Sequence, residues 1–378
     1  MLDQIIKKIS PLWHSKDVRT TSFIFKLITK YTVNMFILFI ILISGRHLFG
    51  HPIQCFSSDK VWIAAMELKC WIDGVFLDEN MIEREIGKEN IYYGVGSLPM
   101  KGKQTKFLTF GFYQWIVPLL LFQTLCMYIP RALWHIYEKG TMMKLLNKTS
   151  SPVFTDDWDK QRKQLVAYIK EVKLSYHRQY ALKYLFCEFL TIIVILINML
   201  LLNVVIKNFF NVYQPAVSSL IAGNYTQFNR DSSRLFPVQA KCNFQVFGPS
   251  GGIQNHDSLC ILPQNVINNK IFSIIYVWFI LILLCAIFHF IYLIVVYSFK
   301  KLRVFQVGRM MERDVTLGKC KEISKNGDLG LWFTLSLFRH NLSPICFQSL
   351  CNDLVPSSKK SRSFEEYDNE SIYMREAA

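Results

Sequence analysis

Four long runs of apolar residues stand out against the mixed polar and apolar pattern of the rest of the chain. They cover residues 27–45, 107–130, 189–206 and 271–299. About 20 apolar residues in a helix are enough to cross the hydrocarbon core of a bilayer. The first run is the weakest, because it is uncharged only from Tyr31 onward and contains Asn34. Since three stronger runs accompany it, a membrane helix is favoured over a buried core helix, and the pattern predicts four transmembrane spans.

Composition supports a membrane protein. Of the 378 residues, 51% are hydrophobic and only 19% are charged, which is more apolar and less charged than an ordinary soluble domain. No small-residue cleavage pattern follows the first run at Ser44, Gly45 and Arg46, so we expect a retained helix rather than a secretory signal. The N terminus is then expected in the cytoplasm, and four crossings return the C terminus to the same side.

Lysine and arginine are distributed as this topology requires. The segments predicted to be cytoplasmic, 1–30, 131–188 and 300–378, hold 30 of these residues in 167 positions, whereas the outer segments 46–106 and 207–270 hold 13 in 125. Cytoplasmic loops of membrane proteins carry such an excess. The formal net charge of +15 thus mostly reflects the excess of lysine and arginine on the cytoplasmic side. These basic residues are spread along the membrane borders without a recognition motif, which argues against nucleic acid as a partner.

The predicted organisation has ten segments, which are named here by their place in this topology. They are an N-terminal helix and linker (1–26), the first span (27–45), extracellular loop one (46–106), the second span (107–130), a cytoplasmic loop (131–188), the third span (189–206), extracellular loop two (207–270), the fourth span (271–299), a cytoplasmic helical region (300–355) and a disordered tail (356–378).

The cysteines sort with this topology. Cys55 and Cys70 lie in loop one, and Cys242 and Cys260 lie in loop two, on the oxidising side where disulfides persist. The other six lie in predicted spans or cytoplasmic segments and are expected to be reduced. Two cysteines in each loop allow three connectivities, and the residues themselves leave the choice open. Around Val61–Trp71 and the Gly248–Gly252 turn cluster, the loops have the patterns of a compact α/β ectodomain rather than of slack linkers.

Two cytoplasmic patterns predict further helices. Leu165, Ile169, Val172 and Tyr176 recur at helical spacing, and Trp332, Phe333, Leu335 and Leu337 offer an apolar partner in the region after span four. We therefore expect an inner helical dome, either within one subunit or as a contact between subunits. The predicted fold class is an all-α membrane protein of four spanning helices, with disulfide-stapled α/β extracellular loops and this helical cytoplasmic dome.

A pore, if one exists, must form between subunits. No span has an ionisable residue near its centre except His289, and polar residues within a membrane normally mark a pathway. Span one is the least apolar, with Thr29, Thr32, Asn34 and Ser44, so Asn34 is the candidate pore-lining residue. A pairing of Asn34 with a neighbouring helix of the same bundle is the alternative.

The N terminus has the pattern of a short amphipathic helix. Leu2, Ile5, Ile6 and Ile9 form an apolar stripe, and Pro11 ends it. One interpretation places this helix in the pore mouth. The other places it on the inner leaflet of the membrane, where Lys7 and Lys8 would help it bind.

Signatures of catalysis are missing from the sequence. It has no His-Glu-x-x-His, no Walker loop, no Gly-x-Ser-x-Gly and no cytoplasmic Cys-x-x-Cys, so we expect neither an enzyme nor a cofactor. Cys285 and His289 lie one helical turn apart, but two ligands are too few for a metal site.

Three residues are candidates for modification. Four Asn-x-Ser/Thr sequons occur, of which only Asn224-Tyr225-Thr226 lies outside in this topology, so Asn224 is the glycosylation candidate. In the polar, basic tail, Ser361 and Ser363 are the phosphorylation candidates.

Several motifs, in order along the chain, resemble those of the innexin family. The first set is Tyr113-Gln114-Trp115 at the start of span two, Pro118 within it, and Pro130, Arg131 and Trp134 at its end. The loops add His51-Pro52-Ile53-Gln54-Cys55 and the segment from Lys241-Cys242 to Cys260-Ile261-Leu262-Pro263. After span four, Gly327-Asp328, Trp332-Phe333 and Asn341-Leu342-Ser343-Pro344 are similar to insect innexins. The resemblance extends to about Leu354, and it is weak over 74–106.

This resemblance implies a subunit of an oligomeric large-pore channel in the plasma membrane. Eight subunits, identical or mixed with other innexins, would form a hemichannel that docks with one of an adjacent cell at a gap junction. The nested pairing implied by related families is Cys55 with Cys260 and Cys70 with Cys242. The N-terminal helix would narrow the pore, with Leu2, Asp3, Ile5 and Ile6 lining it. The short chain also suits the innexin-like proteins of some parasitoid-wasp viruses, the vinnexins.

Two alternatives remain open in the sequence. A glycan on Asn224 would hinder docking and favour a non-junctional hemichannel that passes small molecules across one membrane. A four-span adhesion or scaffold protein would also have stapled outer loops, although it would not need an amphipathic helix before span one.

Overall fold

A computed structural model describes residues 18–51, 53–56, 62–96, 106–146, 156–311 and 317–354. The N-terminal stripe with Leu2, Asp3, Ile5 and Ile6, and the tail with Ser361 and Ser363, lie outside the described residues.

Four helices of the described chain are long and apolar enough to cross a membrane, as predicted. The four stretches are Phe23–Gly45, Tyr113–Glu138, Leu174–Val205 and Pro263–Ser298. The first begins as helix α1 (Phe23–Lys26), passes through a π-helical segment (Leu27–Tyr31) and continues as α2 (Thr32–Phe49). The others are built on α4 (Ile116–Glu138), α7 (Leu174–Val205) and α10 (Pro263–Ser298).

The predicted start of span two was wrong. Phe107–Phe110 is strand β5, which pairs antiparallel with β2 (Val75–Asp78), and a 3₁₀ turn at Phe112–Trp115 leads into α4. The short segment Phe107-Leu108-Thr109-Phe110 is apolar enough to extend the hydrophobic run, yet Gly111 separates it from the helix. A count of uncharged residues does not distinguish a strand that joins directly onto a helix from the helix itself. Helices α7 and α10 also begin well before the apolar runs at 189 and 271.

The chain divides into two compact units. The first, here called the sheet unit, comprises residues 27–129 and 191–286. It contains a five-stranded sheet in the order β1-β7-β6-β2-β5, and a separate pair of short strands, β3 and β4. The remaining strands are β1 (Gln54–Phe56), β3 (Asn90–Tyr92), β4 (Val95–Gly96), β6 (Gln239–Phe247) and β7 (Ile253–Ile261).

The central feature of this sheet is the long hairpin of β6 and β7. Its register runs from Gln239 opposite Ile261 to Phe247 opposite Ile253. The predicted turn closes it, with the amide of Gly248 donating to the carbonyl of Gly252 at 2.7 Å. Gly251 has a φ of +79°, a backbone conformation that glycine adopts without steric cost.

Three shorter helices complete the sheet unit: α3 (Ile63–Asp73), α8 (Phe209–Ile221) and α9 (Tyr225–Ser232). Helix α8 is held by an aromatic core. Phe209 stacks on Tyr213 at 5.1 Å between ring centroids, and Phe236 stacks on Phe272 of α10 at 5.0 Å. The Tyr213 hydroxyl also bonds Asn269 and Ser273 of α10, so a buried polar group is satisfied within this core.

The second unit, here called the helical unit, has its described residues in 18–26, 130–190 and 287–354. Besides the ends of the long helices it contains six others. They are α5 (Thr141–Leu146), α6 (Asp156–Glu171), α11 (Lys300–Met310), α12 (Leu317–Ile323), α13 (Leu329–Asn341) and α14 (Pro344–Leu354).

The two cytoplasmic helices predicted from the sequence pack into one hydrophobic core. Leu165 and Ile169 of α6 are buried in the same cluster as Trp332 and Phe333 of α13. The prediction was wrong at the end of the first pattern, because α6 stops at Glu171 and Tyr176 lies exposed in the first turn of α7. The helical spacing there continues by chance across a break in the helix.

Candidate docking domain and channel-lining elements

Two disulfides join the two loops. Cys55 of β1 is bonded to Cys260 of β7, directly opposite it in the sheet, and Cys70 of α3 is bonded to Cys242 of β6. This is the nested pairing that the family resemblance implies. All four residues are buried. They span 205 and 172 residues of sequence, so each bond holds segments together that are far apart along the chain.

The two bonds lie side by side. The sulfur atoms of Cys55, Cys70 and Cys260 are within 4.8 Å of one another. Because these sulfurs are engaged in disulfides, they offer no thiolates to a metal. Their proximity means that β1, α3 and the β6–β7 hairpin are all fastened at one place in the sheet unit.

Polar contacts extend the connection between the loops. Lys241 of β6 donates through Nζ to the carbonyl of Gly96, and Arg234 pairs with Glu83 at 2.9 Å. Burial lowers the pKa of Lys241, an effect that Asp78 and Asp257 oppose. The two loops therefore form one body rather than two separate excursions of the chain.

The Tyr-Gln-Trp motif fastens the second span to loop one. Tyr113 is buried, and its hydroxyl donates to the carbonyls of Cys70 at 2.8 Å and of Trp71 at 3.2 Å. Its ring also packs on that of Trp71 at 4.8 Å. The amide of Gln114 donates to the Trp71 carbonyl as well. Trp115 is exposed, so the first two residues of the motif hold the C-terminal end of α3.

The second half of the motif belongs to the helical unit. Trp134 is buried, packs on Tyr184 at 4.9 Å and on Tyr180 at 5.2 Å, and donates through Nε1 to the Thr20 hydroxyl at 3.3 Å. It therefore joins α4 to α7 and to the segment before α1. Pro130 lies inside α4, where it leaves one carbonyl without a helical donor.

Two other motif residues have different surroundings. Pro118 is exposed in the first turn of α4, a position where the missing amide hydrogen costs little. Arg131 is half-buried in the same helix.

The polar residues of span one face different ways. Thr29 and Thr32 are buried, and the Thr32 hydroxyl accepts from Trp278 Nε1 at 3.0 Å. The two threonines, which help to make span one the least apolar of the four, therefore face the helices of their own subunit. Asn34 is exposed on the surface of the subunit, so its side chain is not buried between helices of its own bundle.

Apolar side chains are exposed along all four spanning stretches. Examples are Ile41 at 61%, Leu125 at 67%, Leu200 at 65% and Phe288 at 68% exposure. In water such surfaces would be costly, at about 25 cal/mol per Å². Lipid or neighbouring subunits must cover them.

A buried polar cluster lies where three helices meet in the helical unit. Glu188 of α7 is 3% exposed, and its Oε1 accepts from the hydroxyls of Tyr184 and Ser22. His289 Nε2 of α10 lies 3.3 Å from the same oxygen. The sequence singled out His289 alone, because Glu188 fell at the last position of the predicted cytoplasmic loop. In the structure Glu188 lies within α7, which begins at Leu174, and this helix places it beside His289.

Two free cysteines of this unit are poor nucleophiles. Burial raises the pKa of Cys351 to about 12, and burial also raises the pKa of Cys320 above its ordinary value. Since the thiolate is the reactive form, neither is poised for redox or covalent chemistry at neutral pH.

Asn224 lies on an exposed turn. It is the N-cap of α9, with its side-chain oxygen accepting from the amide of Gln227 at 3.1 Å. Tyr225 and Thr226, which complete the sequon, are exposed too. The acceptor is therefore reachable by an enzyme in the folded sheet unit.

Four apolar helices, together with a sheet unit whose two loops are joined by disulfides, define a multi-pass membrane protein. The family model described as Innexin matches residues 21–357. Innexin inx4 of Anopheles gambiae is 32% identical over 363 residues, covering 95% of this chain and 92% of that protein. Innexin inx4 of Drosophila melanogaster is 31% identical over 353 residues, with 92% and 95% covered. Innexin shaking-B of Drosophila melanogaster is 28% identical over 355 residues, with 94% of each covered.

The chain belongs to the innexin family. Innexins are subunits of oligomeric gap-junction channels in membranes, and they are not enzymes. The four spanning helices and the stapled loops are those of such a subunit.

Proposed function

We propose that this chain forms hemichannels of eight subunits that dock between adjacent cells and pass ions and small metabolites. The observation that carries the proposal is the joining of both loops into one body by two buried disulfides. A docking surface built this way is ordered before it meets its partner, so less conformational entropy is lost on association. Current between paired cells that express the chain alone tests both docking and homomeric assembly. If current requires a second innexin, the channel is a hetero-oligomer.

The charge distribution supports a proposed orientation in the membrane. We place both termini and the helical unit in the cytoplasm, and the strands and disulfides outside, because lysine and arginine concentrate on the first side. Epitope tags at the N terminus and within loop two test this placement in intact cells. Antibody should bind the loop tag without permeabilisation and the terminal tag only after it; the reverse pattern contradicts the orientation.

Asn34 is proposed to line the pore, together with Leu2, Asp3, Ile5 and Ile6 of the N-terminal segment. Support for Asn34 comes from its exposure beside the buried Thr29 on the same helix. Asn34→Cys should make the current sensitive to a charged, membrane-impermeant thiol reagent. Thr29→Cys is the matched control and should not. Equal block of both variants, or block of neither, contradicts the assignment.

A non-junctional hemichannel is the second candidate, and the exposed sequon at Asn224 favours it. A glycan there adds bulk to loop two and hinders docking. Thr226→Ala removes the sequon but keeps the Asn224 cap of α9, whereas Asn224→Gln removes both. If glycosylation prevents docking, peptide mapping finds the glycan in the parent protein, and Thr226→Ala gains junctional current. An unmodified Asn224 with junctional current removes this candidate. A four-span adhesion protein would give neither junctional current between paired cells nor hemichannel current in single cells.

A further inference from the structure

The helix that follows the fourth span carries basic and aromatic side chains on one exposed face. In α11, Lys301, Phe305 and Arg309 recur every four residues and therefore lie on one side of the helix. Lys301 and Arg309 are exposed, and Phe305 between them is 62% exposed. Lysine and arginine combined with exposed aromatic residues are typical of a helix that lies in the membrane interface. These three residues are called here the basic face of α11.

The opposite side of this helix is fixed in the helical unit. Val304 and Val307 are buried, and Val307 belongs to the hydrophobic core of that unit. Arg303 is buried too, and its guanidinium donates to the carbonyls of Gly327 at 2.7 Å and of Val296 at 2.8 Å. Because packing and hydrogen bonds both hold this side inward, the basic face of α11 points away from the core.

The helix also lies beside the end of the fourth span. Phe299 has an extended backbone and separates α10 from α11, and Gln306 donates through Nε2 to the Tyr292 hydroxyl at 3.0 Å. Tyr292 precedes the last residue of α10, Ser298, by about 9 Å along the helix. Tyr292 and its neighbour Ile291 are exposed on the spanning stretch. The second turn of α11 is therefore held at the level of the last turns of the span.

The positive charge of the basic face is not neutralised within the described part of the chain. Helix α11 contains no acidic residue, and neither Lys301 nor Arg309 forms an ion pair with a described residue. Anionic phospholipids give the cytoplasmic leaflet a negative surface potential, and each lysine or arginine near that surface strengthens binding about five-fold. The two cations thus complement a layer of lipid phosphates, and Phe305 complements the apolar boundary beneath that layer.

We propose that the basic face of α11 binds anionic phospholipid of the cytoplasmic leaflet. Lys301 and Arg309 donate to headgroup phosphates, and Phe305 enters the boundary between headgroups and acyl chains, where the apolar side of an interfacial helix is buried. The inference goes beyond the proposed channel function and rests on the proposed orientation, which places α11 at this leaflet. Its readout is lipid binding, so it can fail while the channel function holds, and the reverse.

The test titrates the full-length protein, purified in a nonionic detergent, with dioctanoyl phosphatidylserine. The melting temperature reports binding, because a ligand of the folded state raises it. The apparent affinity for this lipid should exceed that for dioctanoyl phosphatidylcholine about ten-fold or more. Glycerophosphoserine, which has the headgroup without acyl chains, should give no shift. A parent protein that binds the two lipids equally overturns the proposal.

Variants of the basic face then locate the binding. The double variant Lys301→Gln, Arg309→Gln should weaken the apparent affinity for phosphatidylserine about 25-fold, which is about five-fold for each charge. Lys301→Arg with Arg309→Lys keeps both charges and should bind as the parent does. Phe305→Ser should weaken binding about five-fold, because it removes the apolar contact. If the double variant does not fold, Phe305→Ser and Arg309→Gln alone decide the outcome.

The double variant Lys160→Gln, Lys163→Gln is the matched control. Both lysines are exposed on α6, but Asp156, Asp157 and Asp159 lie on the same helix. The same loss of charge there should leave phosphatidylserine binding unchanged. Equal losses in the two double variants would show that net charge alone attracts the lipid, and would overturn the assignment to α11.

A neighbouring subunit is the other occupant that this face could take. Light scattering of the oligomer in detergent distinguishes the two. The lipid assignment predicts that the Lys301→Gln, Arg309→Gln variant keeps the parent mass. If this variant dissociates while its affinity for phosphatidylserine equals that of the parent, the face contacts a second copy of the chain and the proposal is wrong.

Discussion

The hydroxyl of Tyr113 donates a hydrogen bond to the carbonyl oxygen of Cys70 at 2.8 Å, and Cys70 is itself bonded to Cys242. The start of the second span and one of the two loop staples therefore meet at a single residue. This relationship gives the Tyr-Gln-Trp motif a physical role, because it joins the membrane-spanning part of the sheet unit to the joined loops.

Tyr113→Phe should destabilise the sheet unit. The substitution removes the donor to two buried carbonyls and retains the ring that packs on Trp71, so the expected loss is about 1–2 kcal/mol. Thermal unfolding of the purified protein in detergent measures it. Tyr128→Phe, which alters an exposed tyrosine of the same span, is the control and should leave the transition unchanged. Equal shifts in the two variants would remove the special role of Tyr113.

The two disulfides should be separable by mutation. Cys70→Ser should leave Cys55 and Cys260 bonded, because they lie on adjacent strands in direct register, and should leave Cys242 as the new free thiol. Loss of one native disulfide costs about 2–5 kcal/mol. Non-reducing peptide mapping, after alkylation under denaturing conditions, reports both results. A peptide that links Cys55 to Cys242, or to Cys70 in the parent protein, would show that the pairing is different.

Gly330→Ala should be far more harmful than its chemistry suggests. A Cβ atom at Gly330 would lie 2.2 Å from the backbone carbon of His177 and 2.3 Å from the amide nitrogen of Arg178, so α13 and α7 would have to separate. Overpacking of this kind costs about 1–3 kcal/mol or more.

Gly318→Ala is the matched control for that substitution. Gly318 is also helical, but nothing lies within 4 Å of its Cβ position, so alanine there should be neutral or stabilising by up to about 1 kcal/mol. Surface expression and melting temperature of the two variants measure the difference. Comparable behaviour would mean that α13 does not pack this closely on α7.

Asp328 should show two separable contributions. Its carboxylate caps α13 by accepting from the amides of Gly330 and Leu331, and it pairs with Arg178 at 3.1 Å. Asp328→Asn keeps a capping oxygen but loses the ion pair, so a loss of about 1 kcal/mol or less is expected, because the Arg178 side chain is 58% exposed. Asp328→Ala removes both and should cost about 1–2 kcal/mol more. A lower melting temperature for Asp328→Asn than for Asp328→Ala would contradict the capping role.

Much of the architecture could be predicted because it depends on coarse physical quantities. The length and low polarity of the apolar runs were enough to predict the four spans. The apolar spacing of Leu165 and Ile169 was enough to predict a helix of the helical unit. The start of span two could not be located, since Phe107–Phe110 is as apolar as the helix it precedes. Its strand character depends on pairing with Val75–Asp78, some thirty residues earlier in the chain.

The polar contacts were beyond the sequence for a related reason. Composition showed that Thr29, Thr32 and Asn34 make span one less apolar, but not that the threonines face the bundle. The partner of His289 was hidden because Glu188 is about one hundred residues away and fell in a segment assigned to a loop. The residues alone allowed three disulfide pairings. The family resemblance implied the nested one, and the register of Cys55 opposite Cys260 agrees with it.

Conductance between paired cells measures whether this chain forms a channel that docks between cells. Two cells that express the chain, with surface delivery established by biotinylation, should develop junctional current and exchange a small dye. Two cells that express the double variant Cys55→Ser, Cys260→Ser should show a weaker junctional current, because only the Cys70–Cys242 disulfide still joins the two loops. Dye uptake by single cells without junctional current would assign the chain to hemichannels instead. If cells with the chain at their surface show no junctional current and take up no dye, the chain does not form a channel.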